Sequence, residues 1–295
     1  FNLSERIQLP VMLRTVTRVS HTRADVAYGS FPEIEKKGSF DTSEERFYLS
    51  TFRSLKRHKW LLEHQSEIQK VVESYDLNQL EKSSPDIVIV ASGIGYEYVK
   101  EVLNTSSGTA HIGLIKISCS NYLPNNIIKN LVQKCKQILV VEEGGPLVEE
   151  KIKVMSDQVK GSANILGKSS GHMECFGELT IEKVSNFIRL NAKDYIDIPQ
   201  PPGKTFDVKA PQRLPSFCAG CPHSNVFYSL KKVKRKIEKA GEDSVVVVGD
   251  IGCYSIGKSP PYSLGDIKYS MGSSIGVAQG ITEGSINKVV ALVGD

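Results

Sequence analysis

The sequence has little that would place the chain in a membrane or in an oxidising compartment. No apolar run approaches the roughly 20 residues that cross a bilayer, and the first residues lack the basic and then apolar pattern of a secretory signal. Six cysteines in a chain of 295 residues do not indicate a disulfide framework. Cys119, Cys135 and Cys175 stand alone, which predicts buried, reduced thiols. These features predict a cytoplasmic protein with no membrane partner.

An excess of one charge is also lacking. The net charge is +4, and the basic residues are scattered or interleaved with acidic ones, so the sequence does not predict nucleic-acid binding. With 40% hydrophobic and 24% charged residues, the composition is typical of soluble globular proteins, and the length predicts about two domains.

Alternating strand and helix patterns after residue 85 predict an α/β fold with parallel sheets. Before that point, residues 43–75 have apolar spacings that favour helices. The predicted strands cover residues 8–16, 87–91, 114–117, 137–142, 244–248 and 288–293, and the predicted helices cover residues 97–103, 127–135 and 225–240.

Two β-branched runs near the end of the chain each finish in Gly-Asp. Residues 245–248 precede Gly249 and Asp250, and residues 289–293 precede Gly294 and Asp295. A parallel sheet holds ligands at the carboxyl ends of its strands, where a carboxylate can bind a hard cation that bridges to a diphosphate. The alternative is that each Gly-Asp pair only forms a turn.

Two other motifs have simple structural explanations. Gly93 and Gly95 follow a predicted strand, but Tyr98 occupies the position of the third glycine in a dinucleotide fingerprint, so we favour a structural role. Glu142 and Glu143 end another predicted strand, where they support subunit contacts or are solvated.

The order of several short motifs resembles the thiamine diphosphate-dependent 2-oxoacid:ferredoxin oxidoreductases, and among them the indolepyruvate type. The resemblance covers nearly the whole chain. The matching strings are LPVMLRTVTRVSH at 9–21, ASGIGY at 91–96, VVEE at 140–143, GEL at 177–179, CAGCPH at 218–223, GDIGC at 249–253, MGSSIG at 271–276 and VVALVGD at 289–295.

The resemblance implies a fragment of a longer enzyme with a particular domain order. Residues 1–29 correspond to the end of a pyrimidine-binding domain, 30–84 to a helical connector and 85–192 to a transketolase C-terminal-like domain. Residues 193–215 correspond to a linker and 216–295 to the first part of a diphosphate-binding domain. The activating glutamate is expected upstream of this chain, so the isolated fragment is expected to be inactive.

The resemblance also implies thiamine diphosphate and Mg²⁺ as cofactors, with Asp295 as the magnesium ligand. The other implied cofactor-binding residues are Cys221, His223, Asp250, Gly252, Cys253, Met271, Gly272, Ser273 and Gly294. Among these we expect Asp250 to orient a loop rather than to bind the metal. The chain departs from the family after Cys-Pro-His, where it has Ser224 in place of the usual arginine.

Three interpretations of Cys218, Cys221 and Cys253 stay open at this point. Related enzymes use similar cysteines to hold a [4Fe–4S] cluster, whereas a zinc site would need more ligands than His223 adds. The cysteines could instead line the cofactor pocket without metal. A redox disulfide would need a thioredoxin-like context that the sequence does not show.

The implied reaction is the oxidative decarboxylation of an aryl pyruvate to an acyl-CoA. Electrons pass through [4Fe–4S] clusters to ferredoxin, and the implied partners are a beta subunit, ferredoxin, coenzyme A and the substrate. Arg14, Arg18 and His21 are candidates for holding the substrate carboxylate by charge-assisted hydrogen bonds. The alternatives are a non-oxidative thiamine diphosphate-dependent decarboxylase or synthase, or a non-catalytic assembly subunit.

Overall fold

The computed structural model describes residues 1–30, 42, 48, 50–75, 77–84, 86–199, 214–241 and 244–294. The chain divides into two compact units, Phe1–Gly203 and Lys204–Asp295. Residues 200–213 of the predicted linker and most of the first half of the predicted connector lie outside the described residues. The finer domain limits given above stay predictions.

The first unit contains a five-stranded, mostly parallel sheet with strands β1 (Asn78–Lys82), β2 (Ile87–Ser92), β3 (Ile112–Ile117), β4 (Gln137–Val141) and β5 (Asn164–Leu166). The strands lie in the order β1-β3-β2-β4-β5. Only β1 pairs antiparallel to its neighbour. The prediction of an α/β fold with a parallel sheet is confirmed.

Helices cover both faces of this sheet. The helices of this unit are α1 (Asn2–Ile7), α2 (Thr17–Ser20), α3 (Thr51–Glu63), α4 (Gln65–Glu73), α5 (Ile94–Thr105), α6 (Asn125–Lys134), α7 (Leu147–Val159) and α8 (Ile181–Asn191). Successive side chains of a strand point to opposite faces of the sheet. Ile87 and Ile89 therefore pack in one apolar core with α5 and α8, while Val88 and Val90 pack in a second core with α6 and α7.

The second unit contains a three-stranded parallel sheet in the order β7-β6-β8. Its strands are β6 (Val245–Gly249), β7 (Ile267–Lys268) and β8 (Lys288–Leu292), and its helices are α9 (Pro222–Lys239) and α10 (Ser274–Gly284). Phe227 of α9 is fully buried, as is Val247 of the central strand. None of the helices in the described part of the chain is long and apolar enough to span a membrane.

Two predictions about local structure are wrong. Residues 8–16, predicted as a strand, form none, because they make no backbone pairing with any described strand and Met12 is largely exposed. Cys175 is exposed rather than buried, and Cys119 is half-buried. Cys135 is buried as predicted, and its thiol donates to the carbonyl oxygen of Ser84.

Candidate functional site

The carboxyl edge of the second sheet brings Gly249 and Asp250 next to the end of β8. Gly249 lies opposite Leu292 in the register of β6 and β8, and the Asp250 amide donates to the Leu292 carbonyl oxygen at 3.3 Å. Gly294 follows two residues later with a φ of 111°, a conformation that favours glycine. Asp295, the predicted magnesium ligand, lies outside the described residues.

Asp250 holds the loop that leads into helix α10. Its side chain is buried, and one carboxylate oxygen accepts a hydrogen bond of 2.7 Å from the Ser274 amide. Burial raises the pKa of this carboxyl, but hydrogen bonds from Ser274 and from the amides of Gly272 and Ser273 outweigh it and hold the pKa below its usual value. The contact supports the expectation that Asp250 orients a loop.

The loop itself presents backbone at the start of α10. Gly272 has a φ of 77°, and no atom lies within 4 Å of the position that a Cβ would take. The Ser273 hydroxyl closes the turn by donating to the Ser270 carbonyl oxygen and accepting from the Ser270 amide. Met271 is mostly exposed. A ligand can therefore approach the Gly272 backbone closely, while the Asp250 carboxylate already accepts the first amide of α10.

A crevice of about 200 Å³ lies at the same edge of the sheet. Of the predicted site residues that the structure describes, only Asp250 lines it. Tyr254, Lys258 and Lys268 also line it, although the sequence did not predict them as site residues. Strand β7 is only two residues long, too short to give an alternating pattern, so no sequence signal placed Lys268 here.

Cys218 and Cys221 lie in a tight turn before helix α9, and the helix begins directly after Cys221. The Cys221 sulfur lies 3.1 Å from Nδ1 of His223. Gly252, with a φ of 148°, precedes the short 3₁₀ helix Cys253–Lys258, in which Cys253 is exposed.

An aromatic cluster, which the sequence did not predict, packs around this turn. His223 meets Tyr254 edge to face with ring centroids 4.6 Å apart, and Phe217 stacks on Phe227 at 5.6 Å. Tyr262 completes the cluster by contacting both phenylalanine rings at 5.7 Å. Aromatic packing of this kind fixes the orientation of His223.

The first unit has a polar network at the carboxyl edge of its own sheet. Glu142 is buried rather than solvated, and it accepts hydrogen bonds from the amides of Val148 and Glu149 at the start of α7. Burial raises the pKa of Glu142, and these two amide hydrogen bonds oppose that shift. Buried Lys168 donates to the carbonyl oxygen of Gly144 at 2.6 Å. The network holds the loop after β4.

Arg14, Arg18 and His21 line one cleft of about 670 Å³ against that loop. Arg18 is already paired, because its Nε lies 2.7 Å from Oε1 of Glu178. This pair raises the pKa of Arg18 and lowers that of Glu178. The Arg14 guanidinium lies against Gly144, and it makes no hydrogen bond or ion pair with any described residue. Of the two arginines that line this cleft, Arg14 is therefore the one without a partner among the described residues.

Comparison with curated protein sequences finds relatives of this chain. It is 33% identical over 301 aligned positions to the indolepyruvate oxidoreductase subunit IorA of Archaeoglobus fulgidus, a match that covers 100% of this chain and 46% of the relative. The IorA subunits of Methanothermobacter thermautotrophicus and Pyrococcus abyssi are 30% and 31% identical over 100% and 96% of the chain. This chain is a homologue of the IorA subunit. It spans about half the length of the IorA sequences that it matches, and no family model matches it.

The second unit is the part of this IorA homologue whose residues can be compared with the needs of thiamine diphosphate. The second sheet fits part of a diphosphate site, since it combines open glycine backbone at Gly272 with the lysines of the crevice. Within the described ranges, no group of three or more His, Cys, Asp or Glu side chains is placed to hold a metal ion.

Proposed function

We propose that this chain carries part of the cofactor site of an indolepyruvate-type 2-oxoacid:ferredoxin oxidoreductase. The observation that supports this most is the similarity to IorA along the full chain, together with one Gly-Asp sequence at the end of β6 and a second that follows the neighbouring parallel strand β8 in the sequence. The proposed enzyme acts with a beta subunit on an aryl pyruvate and coenzyme A, with ferredoxin as electron acceptor.

The proposed cofactor site lies at the carboxyl edge of the second sheet. Thiamine diphosphate, when bound, supplies the carbanion chemistry that decarboxylates a 2-oxoacid. Asp295 would hold Mg²⁺, and the backbone of Gly272 and Ser273 would approach the diphosphate. Asp250 acts indirectly, because its carboxylate already accepts the Ser274 amide and so fixes this loop.

In the cleft of the first unit, we propose that Arg14 rather than Arg18 holds the substrate carboxylate. A guanidinium forms two parallel hydrogen bonds with a carboxylate, an arrangement that lysine cannot reproduce. Arg18 is less suited, because Glu178 already takes its Nε. The lysine-held loop at Gly144 supports the face against which Arg14 lies.

The role of Arg14 can be tested with the full-length protein and its partner subunit under anaerobic conditions. We expect Arg14→Lys to raise KM for indolepyruvate at least tenfold and to change kcat less, whereas Arg18→Lys changes KM less than threefold. Equal effects of the two substitutions would contradict the assignment of Arg14.

The cofactor assignment needs its own test, which is retention of thiamine diphosphate by the purified protein. We expect Asp295→Asn to lose magnesium-dependent binding of thiamine diphosphate, while Asp157→Asn, on the exposed surface of α7, retains it. Absence of thiamine diphosphate binding by the unaltered protein would refute the proposed function. Carbon dioxide release without ferredoxin reduction would instead indicate a non-oxidative decarboxylase.

A further inference from the structure

We infer that helix α9 of the second unit forms a docking surface for an acidic protein, and under the proposed function that protein is ferredoxin. Only the identity of the partner rests on the proposed function. Of the 37 basic and 33 acidic residues of the chain, α9 holds six and one, so the rest of the chain holds 31 and 32. The positive charge of this chain is therefore concentrated on one helix.

Two of the basic side chains of α9 hold the second unit together. The Lys234 ammonium donates to the carbonyl oxygen of Val245 in β6 at 2.6 Å and lies 3.6 Å from Oδ2 of Asp266. Lys231 donates to the carbonyl oxygen of Pro261. Contacts within the unit therefore explain these two cations.

The other four basic residues lie on a different, exposed side of the helix. Residues three and four apart are neighbours on a helix surface, so Lys232, Arg235, Lys236 and Lys239 form one basic stripe, about 10 Å long at 1.5 Å per residue. All four side chains are exposed, and none forms an ion pair or a side-chain hydrogen bond with a described residue. The Lys232 ammonium lies 4.4 Å from the ring centroid of Tyr228, which is exposed on the same side.

The helix dipole explains only part of the basic stripe. Cations in the last turn stabilise a helix, which accounts for Lys236 and Lys239. Lys232 and Arg235 lie before the last turn, three or four residues from other cations, where like charges repel each other. An anionic partner would relieve this repulsion.

The basic stripe fits an acidic protein better than an apolar partner or a nucleic acid. Apolar surface over four unpaired cations would remove their hydration and supply no opposite charge. A nucleic-acid site needs positive charge over a wide surface, and outside α9 this chain has slightly more acidic than basic residues. Electron carriers bind through small, transient interfaces that charge guides, and a stripe of this length suits such an interface.

The test measures binding of a recombinant [4Fe–4S] ferredoxin of net negative charge to the full-length protein with its partner subunit. We expect the double variant Lys232→Glu and Arg235→Glu to weaken this binding at least tenfold at low ionic strength. Each new carboxylate would lie four residues before a lysine, a spacing that stabilises a helix, so α9 should stay folded. The matched control is Lys134→Glu with Lys193→Glu, two exposed lysines of the first unit, and it should bind ferredoxin as the unaltered protein does.

Salt and turnover give two further readouts. The difference in affinity between the stripe variant and the unaltered protein should shrink at about 1 M salt, because the screening length falls to about 3 Å. With indolepyruvate as substrate, the stripe variant should raise the KM for ferredoxin and leave the rate of methyl viologen reduction unchanged, since a small dye needs no docking surface. Ferredoxin binding without turnover of indolepyruvate by the unaltered protein would count against the proposed function alone.

Three results would overturn the docking surface. One is an equal affinity of the stripe variant and the unaltered protein for ferredoxin. Another is that the three lysines of the stripe resist an amine-modifying reagent in the full-length protein without ferredoxin, because the stripe would then be covered within the enzyme. The third is binding to double-stranded DNA that is tighter than binding to ferredoxin and is lost in the stripe variant, because the stripe would then be a nucleic-acid site.

Discussion

Replacing Gly257 by alanine should destabilise the second unit by about 2–3 kcal/mol. A Cβ at this position would lie 2.6 Å from Cδ1 of Phe227 and closer still to the next two ring carbons, whereas ordinary van der Waals contact begins at 3.4 Å. The ring would have to withdraw by roughly 1 Å in a close-packed interior. It has no free space to enter, because Phe227 is fully buried and packs on Phe217, Tyr254 and Tyr262.

The loss of stability can be measured by hydrogen exchange of peptides from β6. Tryptophan fluorescence would not report on the second unit, because the only tryptophan, Trp60, lies in the first unit. Gly276→Ala is a matched control in the same unit. This glycine lies in α10 with open space around it, so alanine there should stabilise by up to about 1 kcal/mol.

A second substitution tests the cause. Phe227→Leu shortens the side chain that blocks the new methyl group, so the double variant should be at least about 1 kcal/mol more stable than the sum of the two single changes predicts. Two results would refute the packing of Phe227 on Gly257. One is that the β6 amides of Gly257→Ala are as well protected from hydrogen exchange as those of Gly276→Ala. The other is that adding Phe227→Leu to Gly257→Ala recovers no stability.

Two further predictions concern the first unit, where Trp60 fluorescence can follow denaturation. Burial raises the pKa of Glu149, but the ammonium of Lys153 and the amides of Ser169 and Ser170 outweigh it and hold the pKa below its usual value of 4.5. The stabilisation by this carboxylate is therefore present above about pH 4.5 and is lost as the pH falls through the lower folded pKa. Glu149→Gln should lower the free energy of unfolding by about 2 kcal/mol at pH 7. The difference in unfolding free energy between this variant and the unaltered protein should shrink as the pH falls. A difference that stays constant would contradict the stabilising role of the Glu149 carboxylate. Asn78→Ala should cost about 2–3 kcal/mol, because the Asn78 side chain makes four hydrogen bonds to backbone atoms of residues 118–122. A midpoint of denaturation for Asn78→Ala that matches the unaltered protein would show that these bonds do not hold the loop.

The sequence predicted the central strands of both sheets well. The β-branched runs that predicted strands at residues 87–91, 137–142 and 244–248 form Ile87–Ser92, Gln137–Val141 and Val245–Gly249. These strands are buried on both faces, so a continuous apolar run is their signature. Helices at 97–103, 127–135 and 225–240 were also predicted correctly to within a few residues, because an apolar stripe on one face repeats along the chain.

Prediction from the sequence was poorer where structure depends on distant partners. Residues 8–16 have the composition of a strand, but no described strand pairs with them. Glycine-rich residues 274–284 form helix α10, although glycine lowers helix propensity. The Asp250 carboxylate accepts the first amide of that helix, an interaction across 24 residues that local pattern does not contain.

The sequence by itself determined the α/β class, the strands that end in Gly-Asp and the likeness to IorA, because these depend on residue order and on apolar pattern along the chain. Only the tertiary structure decided which charged groups are available and which are paired. It paired Arg18 with Glu178 and left Arg14 without a described partner. It also set Cys221 beside His223 in a turn with Cys218. Such pairings depend on how the strand ends and loops are brought together in space, and residue spacing does not determine that.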